Sequence, residues 1–252
     1  MTNDILFLDI ETSPLISYTW GIWEQNVIEV KKEWYVMSFS AKVGGEHITK
    51  GLSDYRGYKM NSDKALVTEI WHLLDRSSVV VAHNGDQFDL KKIYARFAFW
   101  NQPPPSPYQT VDTLKVARRY FAFTSNKLDD LGQYLGLGRK MKHEGFDLWK
   151  RCMAWDLKAW RKMKAYNRQD IILLEKVYFH LLPFIKTHPN MGMFHPGPGT
   201  VCPRCGSGKG FKPHGTYTNQ AAQYKVWRCK NCRAQSRTTM NIRDPKPALR
   251  GL

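Results

Sequence analysis

Ile5-Leu6-Phe7-Leu8-Asp9-Ile10-Glu11-Thr12 is the stretch on which the fold turns. Its apolar run, residues 5–10, is short and reads as a buried strand. Asp9 and Glu11 stand two residues apart at its end, so period-two alternation puts both carboxylates on one face. Two such carboxylates repel unless something positive lies between them, and a divalent cation removes that repulsion. Taken alone the pair also reads as a solvated Asp-x-Glu on an edge strand, and a motif this short does not choose.

Outward from this strand, further strands alternate with helices. Residues 34–43 and 47–52 flank Gly44-Gly45, a hairpin signal. Residues 63–75 place Leu66, Ile70, Leu73 and Leu74 at helical spacing, and residues 78–82 predict a strand buried on both faces. A helix is expected over 88–100, stopped by Pro103-Pro104-Pro105, then a short strand at 110–111 and helices over 112–120, 128–135 and 155–182. The alternation argues an α/β class. After Pro183 the periodicity fades into Pro- and Gly-punctuated chain. The organisation expected is a first domain over 1–185, a linker over 186–200, a cysteine module over 201–240 and a basic tail over 241–252.

Two more acidic groups lie downstream. His83-Asn84-Gly85-Asp86-Gln87-Phe88-Asp89 follows the buried strand, and strand ends in open α/β sheets are where ligand sites form. Asp89 also suits the positive end of the next helix, and Phe88 suits a core. Tyr166 and Asp170, four apart on a helix, project together beside Ile171, Leu174, Val177 and Tyr178. A carboxylate near a buried face needs a partner, and a metal is one; a core tyrosine beside a boundary aspartate is the plainer reading. Asp112 reads as a helix N-cap, and His83 and His143 as structural or surface residues.

In this order, Asp-x-Glu, Asn-x-x-x-Phe-Asp and Tyr-x-x-x-Asp resemble the three exonuclease motifs of the DnaQ-like family in the ribonuclease H-like superfamily. The likeness runs over about residues 5–182, and residues 110–114 and 128–137 resemble the family's middle helices. Tyr166 places it with the DEDDy branch. The resemblance implies a mixed five-stranded sheet flanked by helices, and a 3′→5′ exonuclease acting on DNA or RNA. It implies two Mg²⁺ or Mn²⁺ ions about 4 Å apart. Asp9 would bridge them, Glu11 and Asp170 would complete the ion on the nucleophile side, and Asp89 would support the other. Tyr166 would orient the attacking water or help take its proton. Thr12, Asn84 and Phe88 would meet the terminal nucleotide.

Four of the five cysteines form two knuckles, Cys202-Pro-Arg-Cys205 and Cys229-Lys-Asn-Cys232, separated by 23 residues. Four thiolates at this spacing suit one structural, tetrahedral Zn²⁺, and so small a module depends on metal for its stability. A hairpin fits between the knuckles. Cys152 stands alone and reads as a buried small residue. Lys209, Lys212, Lys225, Arg228, Lys230, Arg233 and Arg237 interleave with Phe211, Tyr217, Tyr224 and Trp227, cations for phosphates among rings for bases. Those rings also serve as the module's sparse core. The stretch resembles zinc ribbons that hold DNA in mobile-element and phage proteins.

The net charge of +16 implies a polyanionic partner, and residues 196–252 hold 11 of the 38 Lys and Arg against one acid, Asp244. No apolar run approaches the roughly 18 residues of a membrane span, and the first residues lack the basic region of a secretory signal. An intracellular, cytoplasmic protein of prokaryotic or phage-like context is expected, bound to nucleic acid with a 3′ end. No replication or repair partner is identified. A non-catalytic nucleic-acid-binding protein on the same fold, and an endonuclease using the same acids, remain the alternatives.

Overall fold

A computed structural model describes residues 5–23, 25–55, 62–194 and 199–243. The expected basic tail from residue 244 onward lies outside them. The chain divides into two compact units, the first Asn3–Val177 and the second beginning at Tyr178.

The first unit is built on β1 (Ile5–Thr12), followed by a small hairpin of β2 (Ile16–Tyr18) and β3 (Glu29–Lys32). Next come β4 (Val36–Val43), β5 (Glu46–Gly51), α1 (Lys64–Asp75) and β6 (Val79–Ala82). Then follow α2 (Asp89–Phe99), β7 (Gln109–Asp112), α3 (Thr113–Tyr120) and α4 (Leu128–Tyr134). The last helices are α5 (Phe146–Met153) and α6 (Leu157–Leu181), which begins in this unit. The main sheet has five strands in the order β5-β4-β1-β6-β7. It is mixed: β1 runs antiparallel to β4 and parallel to β6.

This topology positions the acids. β1 is central, and Phe7 pairs with Val81, so Asp9 emerges just beyond the end of β6, beside the His83–Asp89 turn. Leu6, Leu8 and Ile10 share one face of β1 and enter the core with Ile70, Ile93 and Phe97. Phe7, Asp9 and Glu11 fall on the other face by alternation. A buried ionic hub braces the frame. Asp63, fully buried, accepts hydrogen bonds from Val36 N (2.8 Å), Trp100 Nε1 (2.7 Å) and both Nε and Nη2 of Arg96 (2.7 and 2.6 Å). Each oxygen has charge-assisted partners, as burial of a carboxylate requires.

Two departures from the sequence expectation have clear causes. β2 and β3 were not anticipated, because residues 16–30 lack a buried-face alternation: Trp20, Ile22 and Trp23 are 78–90% exposed. α5 was not anticipated either, since only Leu148 and Cys152 are buried on it. Trp155, in the left-handed region at φ 61, separates α5 from α6, which starts later than expected. Asp156 then caps α6, its Oδ1 accepting from Lys158 N (2.8 Å) and Ala159 N (3.2 Å). Cys152 is buried, as expected, and burial pushes its thiol up to about 12.

The second unit carries β8 (Phe211–Thr218), β9 (Gln223–Cys229) and β10 (Gln235–Arg237) in a three-stranded antiparallel sheet, so the expected hairpin does lie between the knuckles. Among the described residues no helix is long and apolar enough to cross a membrane.

Candidate active site

Asp9 and Glu11 oppose Ser40 and Ser38 of β4 across the sheet, just before a register shift at Thr12. α6 completes the cluster. On it, Asn167 donates from Nδ2 to Asp9 Oδ2 at 2.5 Å and accepts from Ser38 Oγ at 3.1 Å. Asp170, one turn on, is 1% exposed. Asp9, Glu11 and Asp170 present ligand oxygens all within 4.8 Å of one another.

Asp89 plays a different part. It is buried in the first turn of α2, and its Oδ1 accepts the Ile10 N–H at 3.0 Å, tying the helix to the acidic strand. It lies outside the close trio. The turn leading to it depends on Asn84, which adopts φ 66, a backbone region that Asn tolerates. The Asn84 carbonyl accepts from Gln87 N and Phe88 N, and its own N–H goes to Asp112 Oδ1 at 2.9 Å. A side chain at Gly85 would put its Cβ 2.3 Å from that of Ala82, so this position needs glycine. Phe88 is 41% exposed, and core packing therefore does not account for it. Thr12 is half-buried. Asp112 caps α3, accepting from Leu114 N and Lys115 N, as its position suggested. His83 is structural: its Nδ1 meets Thr113 Oγ1 at 2.9 Å, and burial holds the ring down to about pKa 4.

Three contributors were not singled out from sequence: Lys140, Asn167 and Ser38. Lys140 Nζ lies 2.6 Å from Asp170 Oδ2 and 3.2 Å from the Tyr166 hydroxyl. No spacing rule links a lysine between α4 and α5 to a helix that starts 17 residues later. Asn167 adjoins Tyr166 on a helix already read as part of the site, and that adjacency was the available signal. His143 is also closer than expected, its ring packing edge-on to Tyr166 at 4.7 Å.

The electrostatics of the cluster are those of like charges held close together in a buried setting. Burial first, then the charges of Asp89, Glu11 and Asp170, drives Asp9 well above the ordinary carboxylate range. Burial and Asp170 push Glu11 up to about 8. Burial raises Asp89 to about 6, with the Ile10 N–H pulling the other way. Burial also raises Asp170 despite Lys140, and among the described residues Asp170 Oδ1 is buried without a hydrogen-bond partner. Carboxylates gathered this tightly fit a divalent cation, which relieves the mutual repulsion and can take the orphaned oxygen as a ligand. The Lys140 ammonium competes with such an ion for Asp170. Lys140→Gln is accordingly expected to tighten Mn²⁺ binding in the absence of nucleic acid by about tenfold, or about 1.4 kcal/mol. Titration calorimetry reads this directly, and weaker binding would show that Lys140 supports the ion rather than competing with it.

The profile of the RNase H superfamily matches residues 6–182, which contain every acid of the site. The chain belongs to the RNase H superfamily. The mixed five-stranded sheet with its flanking helices is thus an RNase H-like nuclease fold. A family B DNA polymerase from the hyperthermophilic archaeon Pyrobaculum calidifontis is similar in structure, at a TM-score of 0.51 and 14% identity. The match covers 71% of this chain but 24% of the polymerase, so this RNase H superfamily chain parallels a quarter of that protein in fold. No curated protein sequence gives a significant match.

The second unit of this superfamily member holds the four knuckle cysteines, none in a disulfide, with sulfurs all within 4.8 Å of one another. Cys202 and Cys232 lie 3.6 Å apart, Cys205 and Cys229 3.8 Å. A tetrahedron with metal–sulfur bonds of about 2.3 Å has edges of about 3.8 Å, whereas a disulfide needs about 2.05 Å. Each knuckle repeats one bond: Arg204 N donates to Cys202 Sγ at 3.4 Å and Asn231 N to Cys229 Sγ at 3.3 Å. Such N–H donors favour thiolates over thiols.

Proposed function

We propose that the protein is a metal-dependent 3′→5′ exonuclease that hydrolyses phosphodiester bonds of DNA, with RNA as a substrate of the same chemistry. The observation that carries this reading is the trio Asp9, Glu11 and Asp170, closed within 4.8 Å and raised in pKa, with a helical tyrosine alongside. Asp9, Glu11 and Asp170 would hold divalent metal, and Asp89 would support a second ion while it fixes β1 through the Ile10 amide. What Mg²⁺ or Mn²⁺ supplies in such a site is a lowered pKa for bound water and neutralisation of the charge developing on the phosphate.

The chain's own groups do the remainder. Asn167 fixes one oxygen of Asp9 by donating to it at 2.5 Å, and the carboxylate keeps a second oxygen that could serve as a ligand. Burial, then the Asp170 charge, raises the Tyr166 phenol well above its usual range, so its hydroxyl is neutral and positions water as a hydrogen-bond donor or acceptor. Phe88, Asn84 and Thr12 meet the terminal nucleotide, Phe88 by stacking its exposed ring. Residues 1–185 form the catalytic domain, residues 186–200 the linker, and residues 201–240 a zinc ribbon that grips nucleic acid.

A 5′-labelled single strand incubated with Mg²⁺ or Mn²⁺ is expected to shorten as a ladder, and Asp170→Ala to abolish the ladder. A circular strand of the same sequence should survive. Cleavage of the circle would replace this reading with an endonuclease, and equal degradation by Asp170→Ala would remove the acids from the chemistry.

A further inference from the structure

A groove of about 1280 Å³ opens within the second unit. One wall is formed by residues at the end of α6 and just after it, among them Phe184 and Lys186. The other is one face of the small sheet, where Tyr217 pairs with Tyr224 and the alternate positions Val226 and Arg228 follow. The cysteine knuckles add Arg204 and Arg233, and β10 adds Arg237. Five of the 18 lining residues are Lys or Arg, and none is Asp or Glu.

Three of these cations are held in place. Arg204 donates to the carbonyls of His188 (3.2 Å) and Lys186 (3.0 Å), and Arg228 Nη2 is 2.7 Å from His214 Nε2. The Arg237 guanidinium stands 4.1 Å from the centre of the Tyr224 ring, whose neighbour Tyr217 is stacked at 6.4 Å and is 49% exposed. Guanidinium groups held in advance lose little freedom when they meet phosphate, and a half-exposed tyrosine ring beside them can take a base. The groove exceeds the roughly 300–1,000 Å³ of small-molecule clefts, which favours a polymer segment over a single nucleotide. Flat ring faces are used only by unstacked bases, which favours one strand over two.

We propose that this groove binds single-stranded nucleic acid, with phosphates on Arg204, Arg228 and Arg233 and a base on Tyr217. The proposal rests on the reading that the ribbon handles nucleic acid, and names the surface and strandedness. It is tested on the full chain without added divalent ions, using a fluorescein-labelled 30-residue oligothymidylate and fluorescence anisotropy. Arg228→Gln/Arg233→Gln is expected to weaken binding about tenfold and to flatten the salt slope by about 1.4, the contribution of two phosphate contacts to a single strand. Tyr217→Ala should weaken binding several-fold with the slope unchanged, and Tyr217→Phe should bind like the native chain. Native affinity and slope in the double variant would overturn the groove, as would tighter binding of a duplex of equal length. Absence of binding by the native chain would overturn it too. Hydrolysis of a labelled hexamer with Mn²⁺ is measured in parallel: its loss in the native chain sinks the nuclease reading, while unchanged binding keeps the groove.

Discussion

Asp9→Asn is expected to lower the rate of the proposed exonuclease reaction at least about 10³-fold, equivalent to about 4 kcal/mol of transition-state stabilisation, while making the metal-free protein more stable. The two effects share one cause. Asp9 sits among Glu11, Asp89 and Asp170, and burial with their charges raises its pKa. Removing one like charge relieves repulsion that only a cation otherwise relieves. The asparagine carbonyl still accepts from Asn167 Nδ2, so the packing survives. A gain of about 1 kcal/mol raises the melting temperature by about 2–4 °C for a domain of this size. Melting without divalent metal, and again with Mn²⁺, checks it: the native protein should gain stability from Mn²⁺ and the variant little. Retained activity would detach Asp9 from the chemistry. A fall in metal-free stability would mean that Asp9 is held by more than Asn167.

Cys232→Ser is expected to abolish zinc retention and unfold the ribbon while leaving the catalytic unit intact. The native chain should release about one equivalent of zinc on thiol modification, and the variant none. The effect is large because β8, β9 and β10 bury so little. Every residue of β8 after Phe211 is exposed, and the fully buried side chains around the four sulfurs are chiefly Cys202, Cys229 and Ala234. Zinc binding in such modules contributes about 10–16 kcal/mol, which takes the place of the absent core. Hydrogen exchange should show protection lost across β8–β10 and kept in β1, β4 and β6. A ribbon that keeps its protection in Cys232→Ser would mean that the four sulfurs are not a metal centre.

The sequence by itself determined the elements whose physics is local. The run at residues 5–10, the Val-rich β6 and the helical period of α6 each followed from apolar spacing, because burial on one face imposes its period on the chain. The Asp112 cap and the paired knuckles were legible for the same reason: their partners lie a few residues away. The pairing of Asp9 with Glu11, and of Tyr166 with Asp170, was also visible as pairs. Only the tertiary structure decided what those pairs share. It placed α6 against β1 through Asn167 and set Lys140 against Asp170. It turned Asp89 onto the Ile10 amide and left Phe88 in solvent. These contacts join residues 30–158 positions apart, and the energies that choose them are desolvation and Coulomb repulsion among buried charges. Such energies depend on distance in space and local dielectric, neither of which any spacing along the chain encodes. Asp9 and Glu11 were therefore readable as two carboxylates on one face, and only the fold made them part of a site that calls for a cation.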